Sequence, residues 1–197
     1  MFAQDLVGLL DVLRIDQCLV AGQSLGGFIV QQMAVDAPKR VRGLILICTA
    51  PKVDEEAALA QVQLIKALYG LSPEQAVEKQ MELEFANAEE VRAMPGAIEL
   101  LVADEAQRKL NQNVHGLSAG AAACFNIEGR LHEIRAPTLV IQGAQDRTFP
   151  RRWAQYYREH IDKSVLRIID RTSHSIQWDQ PAALAGAIVD FCKTLKR

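Results

Sequence analysis

The chain has 197 residues, 49% hydrophobic and 23% charged, a balance that excludes a disordered polymer and suits one sizeable core. Its 22 Lys and Arg against 24 Asp and Glu leave a net charge of −2, which offers nucleic acid no electrostatic footprint and a membrane no polybasic patch, so a small-molecule partner is expected. No apolar run approaches bilayer length, and Asp5, Asp11 and Asp16 break up the N-terminal apolar residues, unlike a signal peptide; a cytoplasmic protein is expected.

In chain order, Phe2, Leu6, Leu9, Leu10 and Leu13 recur at helical spacing, and Cys18-Leu19-Val20-Ala21 then forms a short apolar run closed by Gly22. This predicts a helix followed by a buried strand. From Leu25 the period is again helical, with Phe28, Ile29 and Met33 on one face, until Pro38 stops it. Leu44-Ile45-Leu46-Ile47-Cys48 reads as a second strand, buried on both faces.

Residues 54 to 128 contain no comparable run. Leu59, Val62 and Ile65 share a helical face, as do Val77, Met81 and Phe85, and Ile98, Leu101 and Val102; Ser72, Pro73 and Gln75 spell an N-cap, a first-turn proline and a capping-box partner. Strands return at Thr138-Leu139-Val140-Ile141 and at Val165-Leu166-Arg167-Ile168-Ile169. Between them a helix carries Trp153, Tyr157 and Ile161, and Pro181 opens a last one with Leu184, Ile188, Phe191 and Leu195. Strands alternating with amphipathic helices predict an α/β fold, a parallel sheet with helices on both faces. Its core is expected from residues 1–50 and 129–197, with 51–128 as an all-helical lid over the site. Cys18, Cys48, Cys124 and Cys192 lie far apart without a C-x-x-C pair, which predicts reduced core thiols rather than a zinc or redox site.

Gly22-Gln23-Ser24-Leu25-Gly26-Gly27 fits G-x-S-x-G between a predicted strand and a predicted helix. A serine at so sharp a turn has strained dihedrals, and small neighbours such as Gly22 and Gly26 let the chain pass close to itself. The turn also aims the Leu25 N–H and the positive helix end at any oxyanion formed there. Gly116-Leu117-Ser118-Ala119-Gly120 fits the same pattern, but no apolar strand precedes it, so Ser118 reads as a loop residue. A serine hydroxyl needs a base to take its proton. His174 lies in the small-residue loop Arg171-Thr172-Ser173-His174-Ser175 directly after the last strand, whereas His115, His132 and His160 fall in the insertion, before a strand and at a helix end. The base needs a carboxylate in turn. Asp146, beyond the C-terminal end of the Thr138 strand, ranks ahead of Asp170, which continues a strand, and of Asp179, which precedes the helix-opening Pro181.

Together these residues resemble the α/β-hydrolase superfamily, in particular its small esterase and lactonase branch, which includes 3-oxoadipate enol-lactonases and carboxylesterases. The resemblance rests on Gly22 to Gly27 with the helix behind it, on Val41-Arg42-Gly43-Leu44-Ile45-Leu46, on Ile134-Arg135-Ala136-Pro137 running through to Asp146, and on Ser173-His174 followed by Gln180-Pro181. It implies a serine hydrolase that cleaves a carboxylic ester or lactone through an acyl-enzyme on Ser24, with His174 and Asp146 completing the triad and Leu25 in the oxyanion hole. It implies no metal and no organic cofactor. Rival readings are a cofactor-free haloperoxidase, an acyltransferase, or a non-catalytic fragment or ligand-binding relative. Two features depart from the family's pattern. No strand with a His-Gly loop precedes Ser24, and Ser173 stands where the family tends to have glycine before its histidine. The first departure leads to the expectation of an N-terminally truncated member starting at an internal Met1, whose exposed sheet edge at Cys18 to Ala21 invites self-association.

Overall fold

The structure, a computed structural model, describes residues 2–111, 118 and 120–195. Four parallel strands, β1 (Cys18–Gln23), β2 (Val41–Ile47), β3 (Thr138–Gly143) and β4 (Ser164–Ile169), lie side by side in sequence order. The central pair is the more apolar. All of β3 and all of β2 except Arg42 are buried, whereas β1 and β4 are mostly half-exposed edges. Among the described residues β1 pairs only with β2.

Helices cover both faces. Leu44 and Leu46 of β2 and Val140 of β3 point to one side, where they meet α1 (Phe2–Val12), α2 (Leu25–Asp36) and α7 (Arg151–His160) through Leu10, Val30, Met33, Ala34, Ala154 and Tyr157. The alternate residues Ile45, Ile47, Leu139 and Ile141 point to the other side, against Phe191 of α9 (Pro181–Thr194) and Ile176 of the short α8 (Ile176–Asp179). Pro38 ends the α2 segment in a single 3-10 turn, and Pro181 supplies the first turn of α9.

Between β2 and β3 run α3 (Glu55–Leu68), α4 (Pro73–Glu84), α5 (Ala88–Arg92) and α6 (Ala97–Leu110). Asp54 caps α3 by accepting the Ala57 N–H at 2.9 Å, and Ser72 with Gln75 forms a reciprocal capping box on α4. Val77, Met81, Val91 and Ala97 make a small core of their own, with Phe85, Met94 and Trp178 packed against it. Met81 and Phe85, which share a helical face by their spacing, thus both pack at this cluster. Phe125 stacks on Phe28 at 4.6 Å.

Some faces turn out differently from their periodicity. Leu59, Val62 and Ile65 do share one face of α3, but it is solvent-facing, each being about half exposed. Of the four free thiols only Cys48 is buried; Cys18 is half-buried, and Cys124 and Cys192 are exposed rather than core residues. No helix among the described residues is long and apolar enough to cross a membrane.

Candidate active site

The C-terminal ends of β1, β3 and β4 converge on one rim of the sheet, and the loops leaving them carry Ser24, Asp146 and His174. Ser24 follows β1 without a spacer and α2 begins at Leu25, so the chain reverses within one residue. The cost is visible in Ser24's dihedrals, φ 52° and ψ −121°, in the positive-φ half of the map that a serine avoids. Its N–H donates to the Ile47 carbonyl at 3.1 Å, and the Thr49 hydroxyl donates to its carbonyl at 2.9 Å, which fixes both ends of the turn. A Cβ on Gly22 would lie 2.2 Å from the Gly26 carbonyl oxygen, and one on Gly27 would lie 2.4 Å from the Thr49 hydroxyl. A Cβ on Gly26 would meet nothing within 4 Å. The clearance therefore comes from Gly22 and Gly27. Gly26 contributes a carbonyl, which corrects the pairing expected from the motif.

Asp146 lies in the loop between β3 and α7, its side chain fully buried. Oδ1 accepts the Thr148 N–H at 2.8 Å and the Phe149 N–H at 3.1 Å; Oδ2 accepts Gln142 Nε2 at 2.9 Å and faces His174 Nδ1 at 3.2 Å. Burial alone would raise the Asp146 pKa. The hydrogen bond and charge of His174, with the two backbone N–H groups, outweigh it and hold the carboxyl below its ordinary value. For His174, burial disfavours the imidazolium, but the hydrogen bond and charge of Asp146 and the charge of Glu84 prevail and raise its pKa. A carboxylate acceptor requires the proton on Nδ1, which leaves the Nε2 lone pair free to act as a base.

His174 is also held through its backbone, because Gln23 Nε2 donates to its carbonyl at 2.7 Å and to Gln177 Oε1 at 2.9 Å. Sequence reasoning passed over Gln23 and Gln142. The signal for the first was a polar side chain in the motif's variable position, and for the second a polar residue in an otherwise apolar strand. The structure thus joins carboxylate to imidazole and ties the imidazole's backbone to the serine turn. Among the described residues the Ser24 hydroxyl takes no hydrogen bond, so the hydroxyl–imidazole link is open in this conformation, as it often is before substrate binds. Leu25 is the first residue of α2, where a backbone N–H has no partner within the helix.

The competing residues lie elsewhere. Asp170 is exposed, and Asp179 binds the Ser173 N–H and hydroxyl instead of the imidazole. His132 is exposed, and His160 stacks on Tyr156 at 3.8 Å at the end of α7. His115 and most of the second G-x-S-x-G motif around Ser118 lie outside the described residues. Cys48, Asp146 and His174 bring ligand atoms within 4.8 Å of one another, the arrangement closest to a metal site among the described residues. Burial first, then the nearby Asp146 charge, pushes the Cys48 thiol well up, and Asp146 is already engaged by four donors. That donor set fits a hydrogen-bonded relay better than a cation. Beside His174 opens a cleft lined by Glu84, Phe85, Arg147, Thr148 and Ser173.

A parallel sheet wrapped by helices, with a strained serine at a strand–helix elbow and a carboxylate–imidazole pair on the same rim, defines an α/β-hydrolase architecture. The Hydrolase_4 family model, described as serine aminopeptidase, S33, matches residues 2–181, and the chain belongs to this family within the α/β-hydrolase superfamily. It is 31% identical to 3-oxoadipate enol-lactonase 2 of Acinetobacter baylyi over 191 residues, covering 93% of this chain and 67% of that protein. It is 29% identical to a 2-hydroxy-6-oxononadienedioate/2-hydroxy-6-oxononatrienedioate hydrolase of Paraburkholderia xenovorans, covering 96% of this chain and 66% of that one. The chain thus spans about two thirds of the length of these curated relatives, as the 67% and 66% shares state. Among solved structures, a hydrolase from Pseudomonas aeruginosa superposes with a TM-score of 0.76 at 26% identity, over 96% of this chain and 70% of that one. An alpha/beta hydrolase from a Medee basin deep-sea metagenome library shares the fold at TM-score 0.84 and 20% identity, over 99% and 72%. Family and relatives together support a hydrolase.

Proposed function

We propose that this hydrolase cleaves a carboxylic ester or lactone by two-step acyl transfer. Ser24 attacks the carbonyl carbon while His174 Nε2 takes its proton, and the imidazolium delivers that proton to the leaving oxygen. Water, deprotonated by the same imidazole, then releases the acid and restores Ser24. Asp146 holds the Nδ1–H tautomer and stabilises the imidazolium, and the Leu25 N–H donates to the oxyanion. The observation that carries this reading is the 3.2 Å Asp146–His174 pair on the rim where Ser24 is held at φ 52°. The relative named an enol-lactonase supports a lactone or ester as the substrate class.

In the same reading residues 51–128 form a cap over the site and the rest forms the catalytic core. The enzyme works in the cytoplasm, supported by four unpaired cysteines, two of them exposed, that suit a reducing compartment. Its partners are the small-molecule substrate and a second copy of the chain along the free side of β1.

A fluorophosphonate probe and p-nitrophenyl esters test the chemistry. Wild-type protein should be labelled at one site and turn the esters over, and Ser24→Ala should lose both while melting normally. A folded wild-type protein that resists the probe sinks the proposal.

A further inference from the structure

Asp179 is 2% exposed, and its side-chain partners among the described residues are backbone N–H groups and a serine hydroxyl rather than a Lys or Arg. Its two carboxyl oxygens take four hydrogen bonds. Oδ1 accepts the backbone N–H groups of Ala86 and Asn87, both at 3.0 Å, in the link between α4 and α5. Oδ2 accepts the Ser173 N–H at 2.7 Å and the Ser173 hydroxyl at 2.6 Å. That hydroxyl in turn accepts the Ser175 N–H at 3.2 Å, so the network grips the backbone on either side of His174. Asn87 adds a second fastening, donating through Nδ2 to the Arg171 carbonyl at 2.5 Å and to the Asp179 carbonyl at 3.4 Å. Arg171 returns a bond to Asn87 Oδ1 at 3.2 Å and pairs with Glu90.

The loop bearing His174 has little slack elsewhere. The Ser173 carbonyl sits 2.2 Å from where a Gly143 Cβ would be, and the Thr172 carbonyl accepts the Gln145 N–H at 2.8 Å. Its sheet side is therefore fixed by backbone contacts, and its other side by the Asp179 carboxylate, which also holds the helical segment, with Asn87 as a second tie at Arg171. Ser173, at a position where a glycine would keep only the N–H bond, gives this chain an extra arm to that carboxylate.

We propose that Asp179 is a positioning residue for the reaction: through Ser173 it sets the backbone from which the His174 imidazole hangs, and through Ala86 and Asn87 it couples that setting to the seating of the α4–α5 link. The proposal rests on the reading of Ser24, His174 and Asp146 as the reacting relay. An imidazole displaced by about 1 Å loses on the order of 10² in rate, because attack needs near-contact geometry. Movement of the helical segment is thereby transmitted to the base.

Asp179→Asn tests this with little change of shape, since one amide edge must then present N–H to groups that are themselves donors. The expected result is a kcat for p-nitrophenyl acetate lowered about 10- to 100-fold, with KM little changed, faster amide exchange at Ala86, Asn87 and Ser173, and a shifted Nδ1–H proton resonance of His174. Ser173→Gly, which removes one bond of the four, should fall between this variant and the wild type. Asp179→Glu should restore part of the loss. Ser24→Ala in the same series separates the two ideas: if it keeps wild-type turnover the Ser24 reading fails, while the exchange rates and the imidazole resonance still judge the coupling. Should Asp179→Asn not fold, Ser173→Gly is judged by the same three readouts. A folded Asp179→Asn protein with wild-type kcat, exchange and His174 resonance overturns the proposal.

Discussion

Replacing Asp146 with Asn removes a charge and almost nothing else, and the surrounding donors dictate how the amide must sit. Oδ1 takes two backbone N–H groups, at 2.8 and 3.1 Å, which cannot rotate away, so the amide oxygen has to occupy that place. The NH2 then points where Oδ2 was, at Gln142 Nε2 and His174 Nδ1, formerly 2.9 and 3.2 Å distant. Gln142 can turn its oxygen toward the new donor only by giving up its 3.1 Å bond to the Phe149 carbonyl. The imidazole must accept at Nδ1, which moves its proton to Nε2 and blocks the lone pair that would receive the Ser24 proton. The misplaced tautomer should lower kcat by about 10⁴, equivalent to about 5.4 kcal/mol of transition-state stabilisation at 1.36 per decade. Loss of a hydrogen bond to a charged group should cost about 1.5–3 kcal/mol of stability. Ester hydrolysis gives the first quantity and urea unfolding the second. A folded Asp146→Asn variant within tenfold of wild-type kcat would refute the relay.

The pH profile offers an independent check. Because the His174 pKa is raised, kcat/KM should climb with pH through a midpoint above the ordinary histidine value of about 6.5, and a midpoint at or below that value contradicts the pairing. The same shifts carry a stability sign: the His174 contribution is fully present below its unfolded-state pKa and is lost as pH rises through the folded value, whereas that of Asp146 is present above its unfolded-state pKa and is lost as pH falls through the folded value. Thermal melts across pH should therefore show the pair's contribution falling away on both sides. At the elbow, Gly22→Ala places a methyl 2.2 Å from a backbone oxygen and should cost about 1–3 kcal/mol and abolish probe labelling of Ser24, while Gly26→Ala should be tolerated. Equal behaviour of the two variants would contradict the turn geometry.

The central strands were legible because a strand buried on both faces is written as an unbroken apolar run, as Leu44 to Ile47 and Thr138 to Ile141 are. Their ends were less so. β1 continues through Gly22 and Gln23 because its ladder with β2 runs on to Ile47 whatever side chains it carries. Periodicity tells which residues of α3 share a face but not toward what that face turns, and Leu59, Val62 and Ile65 turn outward. Chain order placed Ser24, Asp146 and His174 beyond strand ends, and the sheet brings those ends to one rim. Long-range polar contacts left no such trace: the bonds of Gln23 to residue 174 and of Asp179 to residues 86 and 87 span 151, 93 and 92 positions and have no local pattern.

The free side of β1 has a thermodynamic consequence. Among the described residues the sheet pairs β1 on one side only, so its other side presents a row of backbone amide and carbonyl groups that take no bond from the sheet. The second copy proposed for that edge would engage only chains already folded, so mass action would link assembly to folding, and the midpoint of heat denaturation would then climb as the sample is concentrated. Under that proposal, dilution would act as a mild denaturant.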